Sequence, residues 1–302
     1  MGTDRKDHLD GLAVVLLLSC CALWGVNQVA TKVALAEIPP LMQAAARSAG
    51  AAVLLWGWSG WRGIPLWQRD GTLGGGLLAG LLFAVEFGCM FVGLQYTTAS
   101  RMVVFLYLAP FVVALGMPLI SRSERLDRWQ ALGLAMAFGG VVWAFAEGLG
   151  AGGRSLQWWG DALGVAAAVL WGLTTLVMRG SRLATAAPEK TLLYQLGLSA
   201  VALGLAAVVA GEPWPLRVSP LSLAALGFQT VIVTFASYLV WFWLIRHYPA
   251  TRVSAFTLLT PVFGLLAGVL LLGDPVTVRL VLALAAVSCG IALVNRVFRR
   301  AG

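Results

Sequence analysis

Along the whole chain, long hydrophobic runs alternate with short polar breaks. The runs cover residues 11–34, 41–58, 73–94, 99–120, 129–147, 159–178, 188–210, 221–244, 251–272 and 276–297. A hydrocarbon core of roughly 30 Å takes about 20 apolar helical residues to cross, so the pattern predicts ten transmembrane helices joined by short loops. The second run is the weakest, being short and interrupted by Gln43 and Arg47.

The runs are not independent. Ala22-Leu23-Trp24-Gly25 with a cation at Lys32 matches Val169-Leu170-Trp171-Gly172 with a cation at Arg179, and both Trp-to-cation gaps are eight residues. Tyr96 to Arg101 answers Tyr248 to Arg252, Arg101 to Pro110 repeats the nine-residue gap from Arg252 to Pro261, Glu124 matches Asp274, and Gly140 matches Gly290. The chain is therefore a duplication, with one half over 1–150 and the other over 151–302. Five helices is an odd number, so the second half enters the membrane from the opposite side. The fold class expected is all-α and integral to the membrane, ten transmembrane helices in two inverted five-helix repeats. That plan recurs in alternating-access transporters, with the substrate near the midplane.

Polar positions inside the runs fall at helical spacing. In the first span Trp24, Asn27, Gln28 and Thr31 share one face, as do Trp171, Thr174, Thr175 and Met178 in the sixth. Such groups turn inward, away from lipid, and serve either a substrate site or interhelical hydrogen bonds. In the third span Phe83, Glu86, Phe87 and Met90 share a face. Glu86, the one acidic residue deep within a predicted span, is fitted for proton exchange or for meeting a substrate ammonium; the competing reading is a structural ion pair with Arg47 or Lys32. Its counterpart in the second half is Tyr238, which with Trp241 forms an aromatic stripe in the eighth span. Pro110 and Pro261 fall mid-span at matching places in the fourth and ninth runs. Each removes a backbone donor and frees the carbonyl four residues earlier, at Leu106 and Thr257, making either a hinge for gating or a static kink. Tyr107 lies one turn before Pro110. The fifth and tenth spans, rich in Ala, Gly, Leu and Val, read as scaffold, and Gly76–Gly80 and Gly264–Gly268 as close-packing spacings.

Composition agrees: 60% of the 302 residues are hydrophobic, 11% are charged and mean hydropathy is +0.86. The net charge of +8 would point to nucleic acid in a soluble protein, but here it falls between the runs. Sorting Lys and Arg by alternate loops places fifteen on the side of both termini and five on the other, with Arg47 inside a run. The positive-inside rule then puts both termini in the cytoplasm. Arg5 and Lys6 before Leu12–Leu18 outline a signal sequence, yet the run continues past signal length and has an internal counterpart, so it is expected to remain. Cys20, Cys21, Cys89 and Cys289 have no metal or redox spacing and read as buried packing residues. His8 and His247, at helix margins, supply too little for a metal site, a cofactor or a catalytic set. None is expected, which disfavours a membrane-embedded enzyme.

Leu-Trp-Gly in spans one and six, the Tyr-to-Arg-to-Pro pattern of spans four and nine, and the acidic residues Glu124 and Asp274 opening the loops to spans five and ten together resemble the drug/metabolite transporter superfamily, its EamA-type exporter branch. The likeness covers essentially the whole chain and is nearest to exporters of aromatic and other amino acids. It implies a central cavity lined by spans one, three, four, six, eight and nine, with five and ten set apart. Two departures weaken the carry-over: Glu86 has no acidic counterpart in the second half, and Asp274 stands where glutamate is usual. The function expected is export of aromatic and other neutral amino acids from cytoplasm to periplasm across a bacterial inner membrane by alternating access, with a multidrug or other small-metabolite exporter as the alternative. The expected substrate site comprises Trp24, Asn27, Gln28, Phe83, Glu86, Met90, Tyr107, Trp171, Thr174, Tyr238 and Trp241, with Pro110 and Pro261 as hinges. Expected partners are the small-molecule substrate (amino acids, or lipophilic drugs under the alternative) and the lipid bilayer, not nucleic acid. The sequence leaves the oligomeric state open.

Overall fold

The computed structural model describes residues 10–120, 128–150, 156–248 and 256–298. Helices occupy all ten expected spans and no strand occurs among the described residues. This is the arrangement that lipid requires, because only a helix satisfies its own backbone groups without water. The first three spans are Gly11–Ala34, Pro40–Trp61 and Leu73–Gly93. The fourth is divided into Ala99–Leu106 and Ala109–Ile120, and the fifth is Arg128–Gly150. The sixth and seventh are Gln157–Gly180 and Pro188–Val209. The eighth joins Pro220–Gly227, a π-helical stretch Phe228–Ser237 and Tyr238–His247. The ninth is Thr260–Leu272 after the 3-10 turn Thr257–Leu259, and the tenth is Val278–Phe298.

The weak second run forms a full 22-residue helix. Its polar residues are accommodated because Gln43, Arg47 and Ser48 all point into the bundle. Its start is stabilised from across the fold: the Glu212 carboxylate accepts the backbone N–H of Leu41 at 2.9 Å and of Met42 at 2.8 Å. Those donors have no partner within the helix, and negative charge suits a helix N-terminus. At the other face Asp70 plays a matching part, pairing at 2.8 Å with Lys190 in the first turn of the seventh span.

Contacts between spans establish their relative directions. Along the first and eighth spans Asp10 meets Tyr248, Trp24 meets Ser237 and Thr31 meets Gln229, so the two run antiparallel. The first and ninth run parallel: the Cys21 thiol reaches the Phe256 carbonyl at 3.2 Å, and Gly25 abuts Phe263 and Gly264. The third and sixth are antiparallel, with Gly93 on Gly160 and Gly75 on Ser181, whereas the fourth and sixth are parallel, with Gly172 on Ala109 and Val112 and Gly180 on Ile120. Contacts of the first span with the eighth and ninth thus reappear as contacts of the sixth with the third and fourth, and the sixth descends where the first ascends. The two repeats are inverted and interdigitated.

Small residues make this packing possible. A Cβ on Gly25 would stand 2.6 Å from the Gly264 nitrogen, and one on Gly172 would stand 2.5 Å from the Val112 Cβ. Gly76 and Gly80 receive Tyr194 and Leu198 of the seventh span, and Gly264 receives Val103, so both small-residue spacings are filled within the chain. The fifth and tenth spans pair chiefly with each other through Gly133, Gly140 and Gly290. Cys289 of the tenth span is exposed, on a face of the helix away from the buried Leu280, Ala283 and Val287, which corrects the expectation that all four cysteines are buried. Glu124, Arg252, His8 and the terminal basic residues Arg5, Lys6, Arg299 and Arg300 lie outside the described residues.

Pro110 and Pro261 each stand second in a new helix, Ala109–Ile120 and Thr260–Leu272, where a missing N–H costs nothing. The fourth span is interrupted at Tyr107 and Leu108, one turn before its proline, instead of bending smoothly at it. A further proline, Pro118, lies inside the second part of that span.

Candidate functional site

Three polar side chains from three spans converge at one depth. Asn27 is seven residues from Ala34, where the first span ends; Arg47 is seven from Pro40, where the second begins; Glu86 is seven from Gly93, where the third ends. These ends share the face opposite the chain's start, so at about 1.5 Å per residue all three lie roughly 10 Å inside it. Each is buried, Arg47 to 1% exposure and Glu86 to 5%. Around them Gln28 Nε2 contacts Met90 Sδ at 3.5 Å, Thr31 Oγ1 approaches Gln229 Oε1 at 3.2 Å, and Gln43 Nε2 donates to the Thr31 carbonyl at 3.2 Å.

Much of this layer has no protein partner. Asn27 Oδ1, Gln28 Oε1, Gln43 Oε1, Arg47 Nε and Nη2, Glu86 Oε2 and Gln229 Nε2 are buried without a hydrogen bond. Folded proteins pair most such groups, and a concentration of unpaired ones calls for a ligand or a function. The structural ion pair offered as one reading of Glu86 is not formed. Lys32 turns away and donates to the Thr97 carbonyl. The Arg47 guanidinium lies over the Phe87 ring, 3.9 Å from its centroid, within electrostatic reach of Glu86 but in no salt bridge with it.

Aromatic residues flank the polar layer on the side toward the chain's start. Trp24 donates its indole N–H to Ser237 Oγ at 2.8 Å and packs edgewise on Trp241 at 5.2 Å and Tyr238 at 6.3 Å. Phe83 packs on Phe87 at 4.5 Å. Phe83, Phe87 and Met90 share an apolar cluster with Tyr238. Of the residues expected at the site, Trp24, Asn27, Gln28, Phe83, Glu86, Met90, Tyr238 and Trp241 thus gather in one region. Tyr107 and Trp171 form an edge-to-face pair at 6.0 Å between spans four and six. Thr174 returns its hydroxyl to the Leu170 carbonyl of its own helix at 2.8 Å, and Trp171 is 37% exposed.

Arg47, Gln43, Phe87, Gln229 and Ser237 belong to the region without having been singled out as site residues. For Arg47 the signal was present, since a cation within a span is costly and marks function. Gln229 and Ser237 sit in the π-helical stretch, whose wider turn rotates side chains off the 3.6-residue period used to find faces.

Toward the opposite face lies a buried network. Arg101 grips Asp161 with Nη2 on Oδ2 at 2.6 Å and Nε on Oδ1 at 3.1 Å, while Thr97 Oγ1 adds a bond to Asp161 at 2.6 Å. Asp274 Oδ2 accepts from both the backbone N–H and the hydroxyl of Ser100 at 2.9 Å. Near the other face Asp10 caps the first helix through Ala13 N–H at 2.9 Å and accepts the Tyr248 hydroxyl at 2.9 Å.

Comparison with known proteins shows the family. A model of the EamA-like transporter family matches residues 11–146 and again 158–296. The chain belongs to the EamA-like transporter family. It is a multi-span membrane transporter of the drug/metabolite transporter superfamily. A Synechocystis protein described as an uncharacterized transporter is 30% identical over 98% of this chain and 93% of its own length. A protein of Archaeoglobus fulgidus, likewise described, is 26% identical over 86% and 87%. A Salmonella typhimurium protein named as a probable amino-acid metabolite efflux pump is 27% identical over 91% and 89%. A protein crystal structure superposes with a TM-score of 0.66 over 96% of this EamA-like chain and 97% of the other, at 21% identity, a likeness of fold alone.

Proposed function

We propose that this transporter exports aromatic and other neutral amino acids from cytoplasm to periplasm across a bacterial inner membrane, by alternating access and with both termini cytoplasmic. The observation that carries the reading is the buried layer of Asn27, Gln28 and Glu86, whose Oδ1, Oε1 and Oε2 atoms find no partner within the protein, backed by Trp24, Phe83, Tyr238 and Trp241. An amphipathic zwitterion needs both parts: polar atoms for its charged ends and ring surfaces for its side chain. The efflux-pump names carried by the Salmonella typhimurium and Escherichia coli relatives, 27% and 25% identical, support the same substrate class. Orientation rests on the Lys and Arg bias. The proposed site holds Met90 on the polar side, with Tyr107, Trp171 and Thr174 along the path between spans four and six.

Alternating access needs two ends that open in turn. The repeats, 1–150 and 151–302, offer symmetric places for it: helices restart at Pro110 and Pro261, and side-chain ties stand at each end, Arg101–Asp161 at one and Asp10–Tyr248 at the other. The test is efflux of labelled phenylalanine from loaded proteoliposomes, with and without a pH gradient. Flux well above protein-free vesicles, unaffected by cationic dyes, is the expected result. No phenylalanine flux, or competition by lipophilic cations, overturns the reading, and the second outcome points to a multidrug exporter.

A further inference from the structure

We infer that Arg47 is the receptor for the substrate's carboxylate and that, with Glu86 receiving the ammonium, it forms a clamp that selects α-amino acids over amines and over carboxylic acids. This rests on the amino-acid reading above and adds the residue that would define the substrate class.

The same molecule supplies the reference geometry. Arg101 presents its Nε and Nη2 edge to Asp161, filling the side-on fork that matches a carboxylate. In Arg47 that same edge, Nε and Nη2, is buried and has no hydrogen-bond partner. The guanidinium is nevertheless held in place, because it is stacked on Phe87 at 3.9 Å and lies 5.4 Å from the Phe91 centroid. The ring contact holds the guanidinium and leaves its Nε and Nη2 edge without a hydrogen-bond partner.

Glu86 follows the opposite pattern of charge with the same deficit. Its Oε2 is buried and unpaired, one residue along the helix from the ring that carries Arg47. Two buried opposite charges held near each other without touching keep the desolvation cost of both and gain little of the attraction that normally offsets it. A zwitterion between them answers both: its carboxylate meets the Arg47 fork, and its ammonium meets Glu86 Oε2. The ammonium's remaining protons find acceptors nearby, since Gln28 Oε1 and Asn27 Oδ1 are also unpaired. An amine lacking the carboxylate leaves the Arg47 fork bare, and an acid lacking the ammonium leaves Glu86 bare.

The experiment is transport of labelled phenylalanine in proteoliposomes, competed by phenylalanine, by phenethylamine and by 3-phenylpropionate, for the natural protein, Arg47→Gln and Arg47→Lys. In the natural protein phenylalanine is expected to compete about a hundredfold better than either analogue, the scale of one bidentate charged contact. Arg47→Gln is expected to abolish the preference over phenethylamine, and Arg47→Lys, a point charge without the fork, to keep about a tenth of it. A purely structural arginine lowers all competitors together and leaves their ratio unchanged, and that result overturns the inference while amino-acid export stands. A natural protein that carries no phenylalanine and is not stabilised against heating by any α-amino acid overturns both. Should Arg47→Gln fail to fold, judged by gel filtration, the ratio in Arg47→Lys decides alone: an unchanged ratio rejects the clamp.

Discussion

Seven residues into the second span stands Arg47; seven residues into the seventh span, its counterpart in the repeat, stands Gln195. Glu86 in the third span is answered by Tyr238 in the eighth. Arg47 and Glu86 are buried with hydrogen-bonding atoms left unpartnered, whereas Gln195 spends its amide on Met178 Sδ at 3.2 Å. Elsewhere the halves remain alike. Gly25 and Gly172 each leave no room for a Cβ against a neighbouring span, Gly25 against backbone and Gly172 against the Val112 side chain, and carboxylates from matching loops, Glu212 and Asp70, tie the starts of spans two and seven. Positions where packing leaves no room are kept in both halves, and the halves differ where buried polar groups of the first half stand without hydrogen-bond partners. On the proposed reading, the symmetric positions hold the scaffold and the asymmetric ones the chemistry.

That contrast can be broken most strongly at its ends. Asp161→Asn leaves Arg101 buried beside a neutral partner and is expected to cost about 3–5 kcal/mol, read as a lowered unfolding temperature in detergent. Asp10→Asn at the other face, where Asp10 is only half-buried, should cost clearly less. Equal losses would mean that the two ends are energetically equivalent in this structure.

Next comes the centre. Glu86→Gln is expected to reduce phenylalanine efflux about a hundredfold, about 2.7 kcal/mol, while Tyr238→Phe reduces it only a few-fold. Parity between these two variants in the proteoliposome assay would remove the asymmetry on which the substrate assignment depends. Gly25→Ala and Gly172→Ala probe the symmetric part. Each inserts a methyl group against a neighbouring span, and each should cost about 1–3 kcal/mol of stability, measured side by side by thermal unfolding; a loss confined to one half would contradict an equivalent scaffold.

The smallest effect concerns acid. Lys190 and the Thr72 hydroxyl hold the Asp70 carboxyl well below the usual carboxylate range, and the Ser219 backbone N–H lowers that of Glu37. A depressed carboxylate contributes stability that is fully present above its unfolded value, about 3.9 for Asp, and is lost as pH falls through the folded one. The unfolding temperature should therefore not respond to these groups near neutrality and should fall below about pH 4. Asp70→Asn should flatten that acid limb, and an unchanged limb would show that the tie to Lys190 contributes nothing.

The sequence by itself determined the ten spans, the duplication and the inversion, because lipid forces each apolar run into a helix and an odd number of helices reverses direction. It also displayed Glu86, since an intramembrane carboxylate stands out in any register, and the Trp24 face, since the first helix keeps a regular period. Only the tertiary structure decided which polar groups satisfy one another. Arg47 was visible as an interruption of a weak run, but whether it pairs with Glu86, stacks on Phe87 or faces lipid depends on how three separate helices rotate about their axes. Gln229 and Ser237 entered the region through a π-helical turn that no 3.6-residue pattern encodes. Periodicity fixes a residue's face on its own helix; the partner that face meets is settled by packing, where close approach at glycines such as Gly25 and Gly172 sets the rotation of every neighbour.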